Sequence, residues 1–158
     1  MTFDPKKQRQ ILGHFATGVT VVTSDGEAGS HGMTANAFAS LSLTPPLIMV
    51  AVDRRAAMLE FLTGNRCFAV NILRVDHEEL SRRFATPGPK DFSDLNVTTA
   101  ETGSPILVDA IAYLDCRVYD ILSGGDHEIF VGEILAGDYR GGEPLLYFAG
   151  KYRKLLPE

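Results

Sequence analysis

The chain has few of the groups on which ready-made chemistry is usually built. Of its 158 residues only two are cysteine, set in the apolar segments NRCFAVNIL and AYLDCRVYD, far apart and without a CxxC spacing. Buried reduced thiols are the expectation, and neither a disulfide framework nor a thiolate metal site is. The histidines, His14, His31, His77 and His127, are isolated from one another, which leaves no dedicated metal site to expect. Positive charge is also short: 15 Lys and Arg against 20 Asp and Glu give a net charge of −5. The basic residues are scattered and form no stripe, which speaks against nucleic acid as a partner. No apolar run approaches the roughly 20 residues of a membrane-spanning helix, and the opening MTFDPKKQRQ has no apolar centre of the signal-peptide kind. A cytoplasmic protein that avoids membranes is expected.

Familiar site motifs are missing too. There is no G-x-G-x-x-G after a strand and no G-x-x-x-x-G-K-[ST], so neither a Rossmann dinucleotide site nor a Walker phosphate cradle is present. G-x-S-x-G and H-E-x-x-H are absent as well. Ordinary hydrolase and dehydrogenase scaffolds therefore lose ground.

What remains is a chain that is 45% hydrophobic, of a length that suits one domain spanning 1–158. Asp4 and Pro5 read as an N-cap and first helical residue, and Ile11, Leu12 and Phe15 then share a helical face up to Gly18. VTVVTS (19–24), the turn DGEAGS and an extended segment from His31 to Phe38 form a hairpin candidate. LIMVAVD (47–53) reads as a strand buried on both faces. A helix from Arg55 to Leu62, a strand CFAVNIL (67–73) and a helix DHEELSRRF (76–84) follow, and then a Pro- and Gly-containing surface loop over 85–96. In AIAYLDCRVYDIL the residues Ala110, Leu114, Cys116 and Val118 alternate with Asp115 and Arg117, the pattern of a half-buried strand. EIFVGEIL follows after the turn GGDH, and PLLYFAGKY (144–152) reads as a last short strand. About six strands joined mostly by short turns, with helices around them, predict an α+β domain built on a mostly antiparallel, closed or partly closed β-barrel.

The stretch GMTANAFASLSLTPP (32–46) has no charge and is dense in Ala, Ser and Thr. Small residues let a backbone approach a flat ligand, while Thr34, Asn36, Ser40 and Ser42 offer donors and acceptors. Asp53, Arg54 and Arg55 follow the buried strand at an expected helix start, where free N–H groups and a guanidinium suit a phosphate. Ring and phosphate together describe a nucleotide-like cofactor. The same residues also read as a tightly packed strand and turn followed by a solvated helix start. His127 is open to two readings as well: a donor to a substrate, or the polar flank of a hairpin turn. Tyr152 is either a ligand contact or the edge of the core.

Taken in order, FATGVTVVTS (15–24), GMTANAFASLSLTPPLIMVAV (32–52), CFAVNIL (67–73), LSRRFA (80–85), GSPIL (103–107), GGDHEIFVGEI (124–134) and PLLYFAGKYRKL (144–155) resemble the short-chain NAD(P)H:flavin reductases. These are the small components of two-component flavin-dependent monooxygenases. The resemblance implies an FMN-binding split β-barrel, usually a homodimer with cofactor sites near the subunit interface. It implies that Met33, Thr34, Ala35, Asn36, Ser40, Leu41 and Ser42 line the ring and ribityl chain of FMN or FAD. Asp53, Arg54, Arg55 and Ala56 would receive the phosphate, and Phe84 and Ala85 would border the cofactor. His127 becomes the catalytic candidate through binding of NADH or NADPH, with Tyr152 beside the cofactors. The loop 86–96 and the turn at Gly141 and Gly142 are places where these proteins differ and where cofactor preference could be set. The implied reaction is hydride transfer from NAD(P)H to flavin, which supplies reduced flavin to a monooxygenase acting on an aromatic or similar small molecule. The alternative is a flavin-binding electron carrier of the same fold that does not turn over NAD(P)H.

Overall fold

The computed structural model describes residues 2–158. Its elements are α1 (Pro5–Leu12), β1 (Thr17–Gly18), β2 (Thr20–Ser24), β3 (His31–Ala35), β4 (Phe38–Leu43), β5 (Pro46–Asp53), α2 (Met58–Asn65), β6 (Cys67–Ile72), α3 (Glu78–Ala85), β7 (Val97–Thr98), β8 (Ile106–Leu107), β9 (Ala112–Gly124), β10 (His127–Tyr139), β11 (Leu146–Phe148) and β12 (Lys151–Arg153). Seven strands form one antiparallel sheet in the order β3-β2-β6-β9-β10-β5-β4, and β1, β11 and β12 form a small second sheet.

The topology forces the large sheet to curl. Its two edge strands, β3 and β4, are joined only by Asn36 and Ala37, and such a link spans at most about 11 Å of extended chain. The edges must meet, so the sheet closes into a barrel. β3 and β4 are not hydrogen-bonded to each other, and the seam stays open at Asn36 and Ala37. The expected partly closed, mostly antiparallel barrel in an α+β setting is thus observed, and its split falls inside the uncharged stretch 32–46.

Two apolar cores flank β2, whose five residues are all buried. Val22 joins Val50, Val52, Met58, Leu62, Phe68 and Phe130 in one, and Val21 joins Leu73, Phe84, Leu107 and Leu145 in the other. Period-two alternation therefore feeds both cores from a single strand. Gly132 is required by this packing, since a Cβ there would lie 2.5 Å from the Phe68 ring. Cys67 and Cys116 are buried free thiols, as expected. Burial pushes the Cys116 thiol up to about 12, which keeps it protonated.

Several expectations are corrected. α1 starts as predicted, with the Asp4 carboxylate accepting the Lys6 N–H at 3.1 Å, but it ends at Leu12 with Gly13 as its C-cap. Ile11, Leu12 and Phe15 are exposed instead of packed. β5 is not buried on both faces: Ile48, Val50 and Val52 point into the core, while Met49, Ala51 and Asp53 are only half-buried. The third helix begins at Glu78, two residues later than expected, with His77 as its N-cap, and α2 begins at Met58, three residues later than expected, because Arg55 and Ala56 are held in a turn by Asp53. Asp115 is fully buried, since residues 101–104 fold over β9 and Glu101 N–H, Thr102 N–H and the Thr102 hydroxyl all donate to its carboxylate. The segment 144–152 divides into β11 and β12 at Ala149 and Gly150, both at positive φ.

Candidate active site

A cavity of about 960 Å³ opens along the split of the barrel. One wall is the seam itself, Asn36 to Ala39, backed by Met49 and Ala51 of β5. The other wall is the chain leaving α1, from Leu12 to Thr20, with Tyr147 of β11. Apart from Arg9, Asn36, the threonines and Tyr147 the lining is apolar, and at Gly13, Ala16, Gly18, Ala37, Ala39 and Ala51 a flat ring can lie close to the backbone. The Thr17 hydroxyl is buried in this wall without a hydrogen-bond partner. With the Asn36 side-chain amide as a polar group in a largely apolar wall, the cavity fits a planar polar heterocycle.

Beyond the residues that line the cavity, the end of β5 is charged. Alternation along β5 puts Asp53 on the same face as Met49 and Ala51, and the β5–β10 register sets His127 directly opposite Asp53. The imidazole is held through Nδ1 to the Asp126 carboxylate at 2.7 Å, which leaves Nε2 as its free nitrogen. Arg55 grips Asp53 through Nε at 3.2 Å and Nη2 at 3.0 Å. Those bonds hold the Asp53 carboxyl down to about 2. Arg54 donates to the Ser123 hydroxyl at 2.7 Å and pairs with Glu128 at 3.2 Å. Both arginines expected to meet a phosphate are thus engaged by carboxylates, with the Arg55 side chain 89% exposed.

A hydroxyl cluster joins β3, α3 and β12. The Thr34 hydroxyl donates to the Ser81 carbonyl at 2.6 Å, and the Ser81 hydroxyl meets that of Tyr152 at 2.7 Å. The Tyr152 ring stands edge-on to Tyr147, with centroids 5.2 Å apart, and carries the Arg82 guanidinium 4.9 Å above its face.

The expected site residues are distributed unevenly over this geometry. Asn36 lines the cavity. Met33, Thr34 and Ala35 lie on β3 leading into the seam, and Ser40, Leu41 and Ser42 lie on β4 leading out of it, with a bulge between the two serines. Asp53, Arg54, Arg55, Ala56 and His127 gather at the charged end. Phe84 is buried in the second core, against Phe92 and the backbone of Gly32, and Ala85 is exposed at the end of α3. Tyr152 stands one layer behind Tyr147. The sequence reading missed Arg9, Thr17, Met49, Ala51 and Tyr147 as lining residues. A signal for two of them was present: in LIMVAVD the positions 48, 50 and 52 are β-branched, whereas 49 and 51 are not.

Residues 12–156 match the family described as flavin reductase like domain. The chain belongs to that family. It is 39% identical over 154 residues to the reductase component of 4-nitrophenol 4-monooxygenase/4-nitrocatechol 2-monooxygenase of Rhodococcus opacus, covering 98% of this chain and 83% of that protein. It is also 39% identical over 164 residues to the NADH-dependent FAD reductase of Streptomyces globisporus, covering 98% of this chain and 90% of that one. A solved structure of an NADH:FAD oxidoreductase from Streptomyces globisporus, in complex with NAD and FAD fragments, superposes with a TM-score of 0.91 at 37% identity, covering 100% of this chain and 98% of that one.

Proposed function

We propose that the protein is an NAD(P)H:flavin oxidoreductase that reduces FMN or FAD and passes reduced flavin to a separate monooxygenase. The observation that carries this reading is the largely apolar cavity along the barrel split, where Gly and Ala positions open the backbone to a flat ring, in a chain of the flavin reductase-like family. When bound, the nicotinamide gives up a hydride and the flavin accepts it, so the protein needs no nucleophile. Its own part is placement. The seam residues Asn36 to Ala39 would hold the flat ring; Asp126 fixes His127 through Nδ1, which would leave Nε2 to donate to the nicotinamide; the apolar wall would limit water around the transfer. The remaining expected contacts, Met33 to Ala35, Ser40 to Ser42, Asp53 to Ala56 and Ala85, belong to this proposal, while Phe84, buried in the second core, and Tyr152, behind Tyr147, would support the site without touching the cofactor.

Exposed Phe3, Ile11, Leu12 and Phe15, of which Leu12 and Phe15 line the cavity, support a homodimer; a single-chain mass by light scattering would sink it. The two free buried cysteines support the cytoplasm, a reducing compartment, and the match over 12–156 supports reading the chain as one domain.

The test is oxidation of NADH and of NADPH by the purified protein with FMN, with FAD and without flavin. Flavin-dependent oxidation is the expected result. Tight flavin binding without turnover would overturn it in favour of an electron carrier.

A further inference from the structure

We infer that Ser81 is a positioning residue for the cofactor cavity, acting through Tyr152 and Tyr147. Ser81 is fully buried on α3, yet both of its polar ends point at other elements. Its carbonyl takes the Thr34 hydroxyl of β3 at 2.6 Å, and its hydroxyl meets the Tyr152 hydroxyl of β12 at 2.7 Å. One residue, through its backbone carbonyl and its hydroxyl, thus ties the barrel edge that runs into the seam to the last hairpin of the chain. That hairpin carries the cavity wall. Tyr152 is the register partner of Tyr147 across β11 and β12, and Tyr147 in turn pairs with Thr17, the residue with the unsatisfied hydroxyl. Tyr147 and Thr17 both line the cavity.

The tip of the hairpin is held by the Ala149 N–H donating to the Gly13 carbonyl at 2.8 Å, but the Tyr152 side has fewer ties. β11 and β12 are three residues each, and β11 is bonded to only two residues of β1. Arg82 adds its guanidinium over Tyr152 but is itself paired with Glu78 at 2.8 Å and largely exposed. The Ser81–Tyr152 bond is buried, where a hydrogen bond holds geometry best and where a lost partner leaves the other hydroxyl unsatisfied. Its loss therefore loosens Tyr147 more than it loosens the barrel.

The inference rests on the reading of the cavity as a flavin site, and the experiment separates the two. Ser81→Ala, Tyr152→Phe and the double variant are compared with the wild type by flavin affinity, read from flavin fluorescence with FMN and FAD, and by amide hydrogen exchange of 146–153 in the flavin-free protein. Each single variant is expected to weaken flavin binding about three- to tenfold, the worth of one net hydrogen bond, and to speed exchange in 146–153 while β2 and β6 stay protected. The double variant should be no worse than either single, since both remove the same bond. Ser81→Thr, which keeps the hydroxyl, should recover part of the loss. Fully additive losses, or wild-type affinity and exchange in Ser81→Ala, would overturn the inference. Ala51→Leu, which fills the cavity from β5, tests the underlying reading. If the cavity is not the flavin site, Ala51→Leu binds flavin normally while Ser81→Ala still speeds exchange in the hairpin.

Discussion

Strands β2 and β4 are both written in small, hydroxyl-rich residues, TVVTS and FASLSL, yet they spend those hydroxyls in opposite ways. In β2 every hydroxyl is taken by the protein: Thr20 donates to the Ala35 carbonyl, Thr23 to that of Pro105 and Ser24 to that of Cys67. In β4 neither Ser40 nor Ser42 is held by another protein group among the described residues, and four of the six positions are exposed. The difference is position in the sheet. β2 lies between β3 and β6 with a core on each face, so an unpaired hydroxyl would be costly there. β4 is an edge strand beside the split, where a hydroxyl can wait for a ligand in water.

The largest effect should come from β2. Thr23→Val keeps the shape of a fully buried side chain but strips the Pro105 carbonyl of its donor, and is expected to cost about 1–3 kcal/mol of stability by urea denaturation, with flavin affinity nearly unchanged in the folded fraction. Ser40→Ala with Ser42→Ala should do the reverse. Stability should move by less than about 0.5 kcal/mol, as at ordinary surface positions. Flavin affinity should fall about tenfold if the two hydroxyls bind the cofactor. A double variant that destabilises the fold and spares flavin affinity would erase the distinction between the strands.

This comparison also shows what the sequence could reveal. The barrel, its helices and the hairpin of β2 and β3 were legible because they follow from apolar alternation and turn residues, which are local. The strand break at Asn36 and Ala37 was not legible, since MTANAFAS reads as one extended segment; the split appears only when the edges of a seven-stranded sheet have to meet. Burial of Asp115 escaped for a similar reason, because the turn that covers it comes from residues 101–104. Of the cavity lining, Asn36 could be named from the uncharged stretch it stands in. Thr17, Met49 and Tyr147 could not, as their shared wall is made by elements far apart in the chain.

Titration sharpens the same contrast between interior and rim. His31, paired with Ser24 at the end of β2 and stacked on Phe61 with centroids 4.7 Å apart, is 7% exposed. Burial pulls its pKa below the usual histidine value, with Lys90 adding to the effect and Glu60 opposing it. A lowered folded-state pKa means that the unfolded chain takes up the proton first. The contribution to stability is therefore complete above about pH 6.5 and is lost as pH falls through the folded value. His31→Phe, which keeps a ring against Phe61, should flatten this part of the stability profile between about pH 7 and 5.

The smallest effect belongs to Asp53 at the rim. Its carboxyl is lowered to about 2, first by the Arg55 side chain and then by the Arg55 backbone N–H. Here the cause is a partner and not burial, and the partner stands in water. The folded pKa lies below the unfolded value of 3.8, so the contribution is present above about pH 4 and disappears as pH falls to about 2. Neutral-pH stability should barely register Arg55→Ala, because exposed pairs contribute little and are screened by salt. The titration itself is the sensitive readout: carboxyl carbon NMR should place Asp53 near 2 in the wild type and return it towards 3.8 in Arg55→Ala. If the arginine instead leaves Asp53 for a phosphate, adding flavin should move the carboxyl in the same direction as the mutation. A carboxyl that stays near 2 with flavin bound would mean that the Asp53–Arg55 pair survives binding and that Arg55 acts, if at all, as part of an ion pair.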